Sequence, residues 1–333
     1  MLELILLGLS LGGSPAIDGK TVVRSAEICS AERPTYVSSE GAQLAYRDLG
    51  PRDGRPVLLI SGTDQQMIQW SQPLLKTMQA QGLRPIVYDA RDVGCSTHHT
   101  EAGPADWAAI LTAMDAGKSP VLPYTLETLA ADAVAILDHL DIAAADIVGV
   151  SGGATVASEV AAANPERVCR LVLLLSNSGN PALPMPAHPV RLAALPPMPA
   201  AGADSSGVVA YRMAAWRVLS GTESPNSPEH LKPIVERATT RSWDPDGIGR
   251  AGAAMLSAGD RRNRLADVNA RTVVIHGEAD PLISVLAGRE VAESIPGAKF
   301  IGVSGAGHIL TPDIVDALLK SLGEAAAKIP HYD

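Results

Sequence analysis

The chain has 333 residues, 46% hydrophobic and 19% charged, with a formal net charge of −9. This describes a globular protein with ample apolar material for one large domain, or a domain plus an insertion. No basic patch exists to hold a nucleic acid, and no apolar run reaches the ~18 residues of a membrane span. Aromatic residues make up 3%, with a single Phe, so the core must be built from Leu, Val, Ile and Ala. Cys29, Cys95 and Cys169 are odd in number and far apart. They predict buried or neutral thiols rather than a disulfide framework, and no metal-ligand cluster.

Residues 4–12 are apolar, but Glu3 precedes them and no Lys or Arg stands at the N-terminus. A secretory signal wants a positive start, so residues 1–33 read as a poorly ordered extension and the location as cytoplasmic rather than secreted. Residues 35–37 and 43–47 flank Ser39-Glu40-Gly41 and predict a hairpin. Residues 57–60 form a continuous apolar run, expected of a strand buried on both faces, and end in Ser61-Gly62-Thr63-Asp64. A helix is expected over 66–81, a buried strand over 84–89, and an amphipathic helix over 126–140 with Thr125 as its N-cap.

Residues 145–150 lead into Gly149-Val150-Ser151-Gly152-Gly153, and small apolar helix formers follow from Ala154 to Ala163. A strand, a tight turn with Ser at its apex and then a helix make a nucleophile elbow of G-x-S-x-G. Glycines suit it because a side chain at either flank would meet the neighbouring strand or helix. Further strands are expected over 170–175, 272–276 and 299–303, with helices over 286–294 and 313–328. Strands alternating with helices predict an α/β fold, a doubly wound, mostly parallel sheet.

Residues 176–271 interrupt the alternation. A Pro-rich start, in which 181–207 also reads as a linker, gives way to helical patterns over 208–219, 228–240 and 249–257. A helical cap inserted over the strand ends is the expectation, with the core formed by 34–175 and 272–333. Apolar Met185, Met213, Trp216 and Met255 are candidate pocket residues.

A serine nucleophile needs a base, and the base an orienting acid. Two later strand ends supply them in the chain order of this fold. Asp280 follows the strand that ends in Ile275-His276-Gly277, and His308 follows Val303-Ser304-Gly305-Ala306-Gly307. The catalytic set expected is Ser151, Asp280 and His308, with Glu278 as rival acid. His276 reads as a packed core residue, and the adjacent His98 and His99 as loop residues. The backbone N–H groups of Thr63 and Gly152 are the candidate oxyanion donors.

These pieces resemble the α/β-hydrolase superfamily over most of residues 35–328. Tyr88-Asp89-Ala90-Arg91-Asp92-Val93-Gly94-Cys95-Ser96 is similar to that family's D-x-R-G/D-x-G-x-S segment. Within the superfamily the chain resembles serine carboxylesterases of the aclacinomycin methylesterase type. The residues concerned are that segment, Pro123-Tyr124-Thr125-Leu126, the Ser178-Gly179-Asn180-Pro181-Ala182-Leu183-Pro184 stretch and Trp216-Arg217-Val218-Leu219-Ser220-Gly221. The resemblance implies ester hydrolysis of a small molecule in two steps without a cofactor; cofactor-free perhydrolysis, amide or C–C bond hydrolysis on the same scaffold, and a non-catalytic binding module, stay open, as does homo-oligomer formation. Two departures stand out. Ser61-Gly62 replaces the usual His-Gly, and Gly152 stands where Met is common, which predicts a wider acyl pocket.

Overall fold

The structure, a computed structural model, describes residues 25–183, 185–220 and 231–323. Eight strands form one sheet: β1 (Thr35–Ser39), β2 (Ala42–Asp48), β3 (Arg55–Ile60), β4 (Leu83–Tyr88), β5 (Ala145–Val150), β6 (Val168–Leu174), β7 (Arg271–Gly277) and β8 (Lys299–Val303). Their spatial order is β1-β2-β4-β3-β5-β6-β7-β8. β1 and β2 are the expected antiparallel hairpin, and β2 also runs antiparallel to β4. Every later pairing is parallel. The strand order reverses around β3, so a crevice opens at the carboxyl ends of β3 and β5, where ligands bind in such sheets.

β4 and β5 are buried at every position, their apolar residues interrupted by Arg84, paired with Asp48, and Asp146, paired with Arg55. The period-two alternation of a strand sends successive side chains to opposite faces. Leu58, Ile60, Ile147, Leu171, Leu173 and Val274 therefore join one apolar cluster, with α4 (Leu126–His139) and α5 (Gly152–Ala163). Val57, Leu59, Val148, Val150, Val172, Leu174 and Ile275 join the other, with α2 (Gln72–Ala80) and α12 (Pro312–Gly323). Leu, Val, Ile and Ala dominate both, as the shortage of aromatics demands.

Local chemistry sets the helix starts. Thr125 caps α4, its hydroxyl accepting from the Thr128 N–H. The helix expected over 66–81 breaks in two: a single turn at Met67–Gln69, then α2 from Gln72. Ser71 caps that second helix by accepting from the Leu74 N–H, and Pro73 fits its first turn. α3 (Trp107–Asp115) begins behind Asp106, whose carboxylate accepts from the Ala109 N–H. The last expected helix runs as α12, and residues 324–328 lie outside the described residues.

Between β6 and β7 the chain passes through α6 (Pro189–Leu192), α7 (Ser205–Leu219), α8 (Lys232–Arg241), α9 (Pro245–Ser257) and α10 (Arg262–Leu265). Asp204 caps α7 and Asp244 caps α9 through backbone N–H groups one turn on. Residues 228–230 of the expected middle helix, and Pro184, lie outside the described residues. α11 (Val285–Ser294) follows β7.

Two expectations at the N-terminus are corrected. Residues 26–32 form helix α1 (Ala26–Glu32), capped by Ser25; residues 1–24 lie outside the described residues. Cys29 is joined to Cys95 by a disulfide, while Cys169 is free and half-buried. The pairing was hidden because 66 residues separate the two cysteines and only the fold, which lays α1 beside the loop after β4, brings them together. Glu32 at the end of α1 binds Arg241 at 2.7 Å and Arg237 at 2.7 Å, both on α8, and the Ser25 N–H donates to the Arg241 carbonyl.

Candidate active site

Ser151 ends β5 with φ 53° and ψ −120°, and α5 begins at the next residue. A non-glycine residue is rarely held there, and such strain persists only where the surroundings over-determine it. The Ser151 N–H donates to the Leu174 carbonyl at 2.8 Å, and the Ser151 carbonyl accepts the first helical bonds, from Ala154 and Thr155. The flanking glycines allow the approach. A Cβ on Gly149 would overlap the Gly153 carbonyl, and one on Gly153 the carbonyls of Ile60 and Ser61 on β3 and its loop.

Asp280 sits in the loop after β7 and His308 in the loop after β8, both buried. His308 Nδ1 lies 2.7 Å from Asp280 Oδ2, and His308 Nε2 lies 2.9 Å from Ser151 Oγ. A carboxylate only accepts, so Nδ1 carries the ring proton and Nε2 presents its lone pair to the serine hydroxyl, which donates. Asp280 Oδ1 accepts from the Leu282 and Ile283 N–H groups at 2.8 and 2.9 Å. Burial by itself would raise the Asp280 pKa. The positive charge that His308 takes up on protonation, with hydrogen bonds from His276 and His308, outweighs it and holds the carboxyl well below its usual range.

The rival acid is elsewhere. Glu278 is exposed, and its carboxylate lies against Gly302 of β8. The rival base, His276, is fully buried at the end of β7 and donates to the Ile283 carbonyl at 3.0 Å.

Among the described residues, the N–H groups of Thr63 and Gly152 donate to no protein acceptor. The two residues adjoin, since a Cβ on Gly152 would overlap Thr63 Oγ1. That same Cβ would lie 2.7 Å from Met255 Sδ and 3.0 Å from its Cε. The wider pocket expected from glycine at 152 is therefore corrected: Met255, reaching down from α9, fills the space an elbow side chain would take. Met213 is buried on α7 and Trp216 half-buried on the same helix, whereas Met185 is 43% exposed. The Met185 stretch is tied to the Asp280 loop, the Ala187 and His188 N–H groups donating to the Leu282 and Pro281 carbonyls. α7 ends on the His308 loop, its Leu219 carbonyl accepting from the His308 N–H at 2.7 Å.

Polar partners that no spacing in the sequence revealed also meet here. Asp64, next to Thr63, binds Arg212 of α7 at 2.8 and 3.0 Å, and the Arg212 guanidinium stacks on Trp243 at 5.0 Å. His98 is not a solvated loop residue: Nδ1 meets Asp244 Oδ2 at 2.8 Å and Nε2 meets the Gly94 carbonyl. Asp92, His98 and Asp244 converge closely enough to share a cation. The Arg250 guanidinium already serves as that cation, binding Asp92 at 2.8 and 2.9 Å and Asp244 at 3.1 Å. Tyr124 also donates to Asp92, at 2.6 Å. With the carboxylate oxygens engaged by a guanidinium and a phenol, this cluster is suited to structure rather than to metal binding. None of the helices among the described residues is long and apolar enough to cross a membrane.

Comparison with known proteins agrees with this architecture. Residues 55–211 match the alpha/beta hydrolase fold family. Rhodomycin D methylesterase DauP of Streptomyces sp. (strain C5) is 25% identical over 305 residues, covering 86% of this chain and 95% of that protein. A non-heme chloroperoxidase of Streptomyces lividans is 32% identical over 141 residues, 42% of this chain and 43% of its own length. Among solved structures, the esterase RhEst1 from Rhodococcus sp. ECU1013 superposes with a TM-score of 0.65 at 20% identity, over 88% of this chain and 98% of that one. The chain has the alpha/beta hydrolase fold, and over residues 55–211 its sequence is similar to that family.

Proposed function

We propose that the chain is a serine hydrolase that cleaves carboxylic esters through an acyl-enzyme, with Ser151, His308 and Asp280 as its triad. The observation that carries this reading is the unbroken run of hydrogen bonds from Ser151 Oγ through His308 to Asp280, at 2.9 and 2.7 Å, with the serine in a strained elbow. Ser151 Oγ attacks the ester carbonyl as His308 Nε2 takes its proton. Negative charge develops on the carbonyl oxygen between the Thr63 and Gly152 N–H groups, each such donor being worth about 2.7–4 kcal/mol of barrier. The imidazolium returns its proton to the departing alcohol, leaving the acyl group on Ser151. Water, deprotonated by His308, then releases the acid. Asp280 keeps a proton on His308 Nδ1 throughout, so that Nε2 is the nitrogen that takes up and gives back the serine's proton.

The helices between β6 and β7 act in this reading as the cap expected over residues 176–271. Met255 against Gly152, and the Leu219 carbonyl on the His308 N–H, support it. Methylesterase and esterase relatives favour a small-molecule ester as substrate. The chloroperoxidase relative supports a second reading, in which the same acyl-enzyme is opened by peroxide instead of water. The Cys29–Cys95 disulfide favours an oxidising compartment over the cytoplasm.

A fluorophosphonate probe tests the nucleophile. Mass spectrometry should find the adduct on Ser151, with parallel loss of p-nitrophenyl acetate hydrolysis. Retention of activity by a fully labelled enzyme, or absence of labelling in an active one, overturns the assignment. Peracid formation outpacing hydrolysis when peroxide is added would favour the second reading.

A further inference from the structure

His276 stands four residues before Asp280 and is completely buried at the end of β7. Its Nε2 lies 3.0 Å from the Ile283 carbonyl oxygen and 3.4 Å from Asp280 Oδ2. Both neighbours accept hydrogen bonds, so Nε2 must carry the proton. Nδ1 is buried without a partner and faces α11, where Gly288 leaves it room; a Cβ at 288 would overlap the ring. The ring is thereby fixed as the neutral Nε2–H tautomer, held rigidly between the end of β7 and α11.

The consequence falls on Asp280. Its Oδ1 is bound by the Leu282 and Ile283 N–H groups, and its Oδ2 by His308. His276 approaches that same Oδ2 from the strand side and also ties down Ile283, the residue whose N–H holds Oδ1. The side chains facing the carboxylate are thus His308 and His276, with Glu278 turned away towards β8.

We propose that His276 is a positioning residue for the reaction, setting both the orientation of the Asp280 carboxylate and its strength as an acceptor towards His308. This rests on the triad reading above. Sharing one N–H between the Ile283 carbonyl and Oδ2 weakens that oxygen's hold on the imidazolium that forms during the reaction. It also stops the carboxylate rotating away from His308, the task that partners behind a ligating or catalytic group commonly perform.

The test compares His276→Met, which keeps bulk and removes the donor, with His276→Gln, whose amide nitrogen reaches the position of Nε2. Active sites are first counted with the fluorophosphonate probe. A wild-type enzyme that turns over esters without being labelled overturns the triad reading, and this inference falls with it. Per labelled site, His276→Met should lose about 10-fold in kcat with KM near wild type. Relieved of one donor, Asp280 holds the imidazolium more tightly, so the acid limb of its kcat/KM profile should move up by about half a pH unit. His276→Gln should restore both. A His276→Met enzyme with the wild-type kcat and pH profile per site overturns the inference, as does equal impairment of the two variants without any pH shift. Nitrogen NMR of the wild-type protein provides a reading that needs no variant. His276 is expected as the Nε2–H tautomer across the active pH range, and an Nδ1–H tautomer or a cation there overturns the proposal.

Discussion

The sheet and the helices inserted between β6 and β7 are held by different forces. The sheet is buried on both faces among aliphatic side chains, an attraction that is large and non-directional. The parallel register of the strands brings Ser151, Asp280 and His308, which follow β5, β7 and β8, to the same edge of the sheet. The insert is moored largely by buried arginines reaching to the loops after β3 and β4. Arg241 of α8 binds Asp89 at 2.9 Å and Gln66 at 2.8 Å. Arg250 of α9 binds Asp92, and Arg212 of α7 binds Asp64. Buried ion pairs add little net stability because desolvation offsets attraction, but they are unforgiving of geometry. On the proposed reading the chemistry belongs to the sheet, whereas the insert is located one contact at a time.

The largest expected effect lies on the sheet side. Ser151→Ala and His308→Ala should each lower kcat by about 10⁴-fold or more with the melting transition intact. Near-full esterase activity in purified Ser151→Ala would remove the chemistry from the sheet and end the comparison. Asp280→Asn should cost about 10³–10⁴ in kcat through the wrong His308 tautomer, and the exposed Glu278→Gln far less. Assays of the two side by side check this, and the reverse ranking would move the acid to Glu278.

On the insert side, Arg250→Met should leave the triad in place and cost roughly 3–5 kcal/mol of stability, because Asp92 is left buried without its cation. Denaturant titration measures this. Burial raises the Asp92 pKa, but hydrogen bonds from Arg250 and Tyr124 and the charge of Arg250 overcome it, and the value is lowered. A depressed folded-state pKa contributes stability above the unfolded carboxylate value of about 4, which is lost as the pH falls through the folded value. In Arg250→Met the sign should reverse, acidification relieving a buried, unpaired carboxylate. Stability curves from pH 7 to about 3 for both proteins decide it.

The smallest and most selective effects belong where the regions touch. Gly152→Ala should slow all esters, because its methyl meets Thr63 and Met255, and adding Met255→Ala should restore part of the rate. Met255→Ala alone, and Trp216→Ala or Met213→Ala, should shift relative kcat/KM among acyl chain lengths by about 10-fold, the value of a methylene or two in a pocket. Losses proportional to lost folded protein on every ester would make these residues packing only.

The sheet and its strand-end loops were legible because continuous apolar runs, capped helix starts and a glycine-flanked serine are local signals. The strands from β5 onward were legible as apolar runs, and the order Ser, Asp, His along them was read because it is the order this fold uses. What could not be read depends on distant pairing. Nothing near Cys29 announces Cys95, nothing near Arg212 announces Asp64, and Met255 lies 103 residues from the elbow it closes. Gly152 was visible as a departure, but its meaning reverses once the residue that fills the gap is known. His276 read as a core histidine, which its burial agrees with; its relation to Asp280 depends on how the loop after β7 turns back.

The Cys29–Cys95 bond also changes how the chain bears load. Strands β1 to β4 all lie between the two cysteines, inside one covalent ring. Tension applied at residue 25 passes through α1 and the bond directly to the loop after β4. It bypasses the antiparallel hairpin at the sheet's edge, the part most easily peeled strand by strand. Unbridged, the same pull would unzip β1 from β2 first; bridged, it must act on the interior of the sheet.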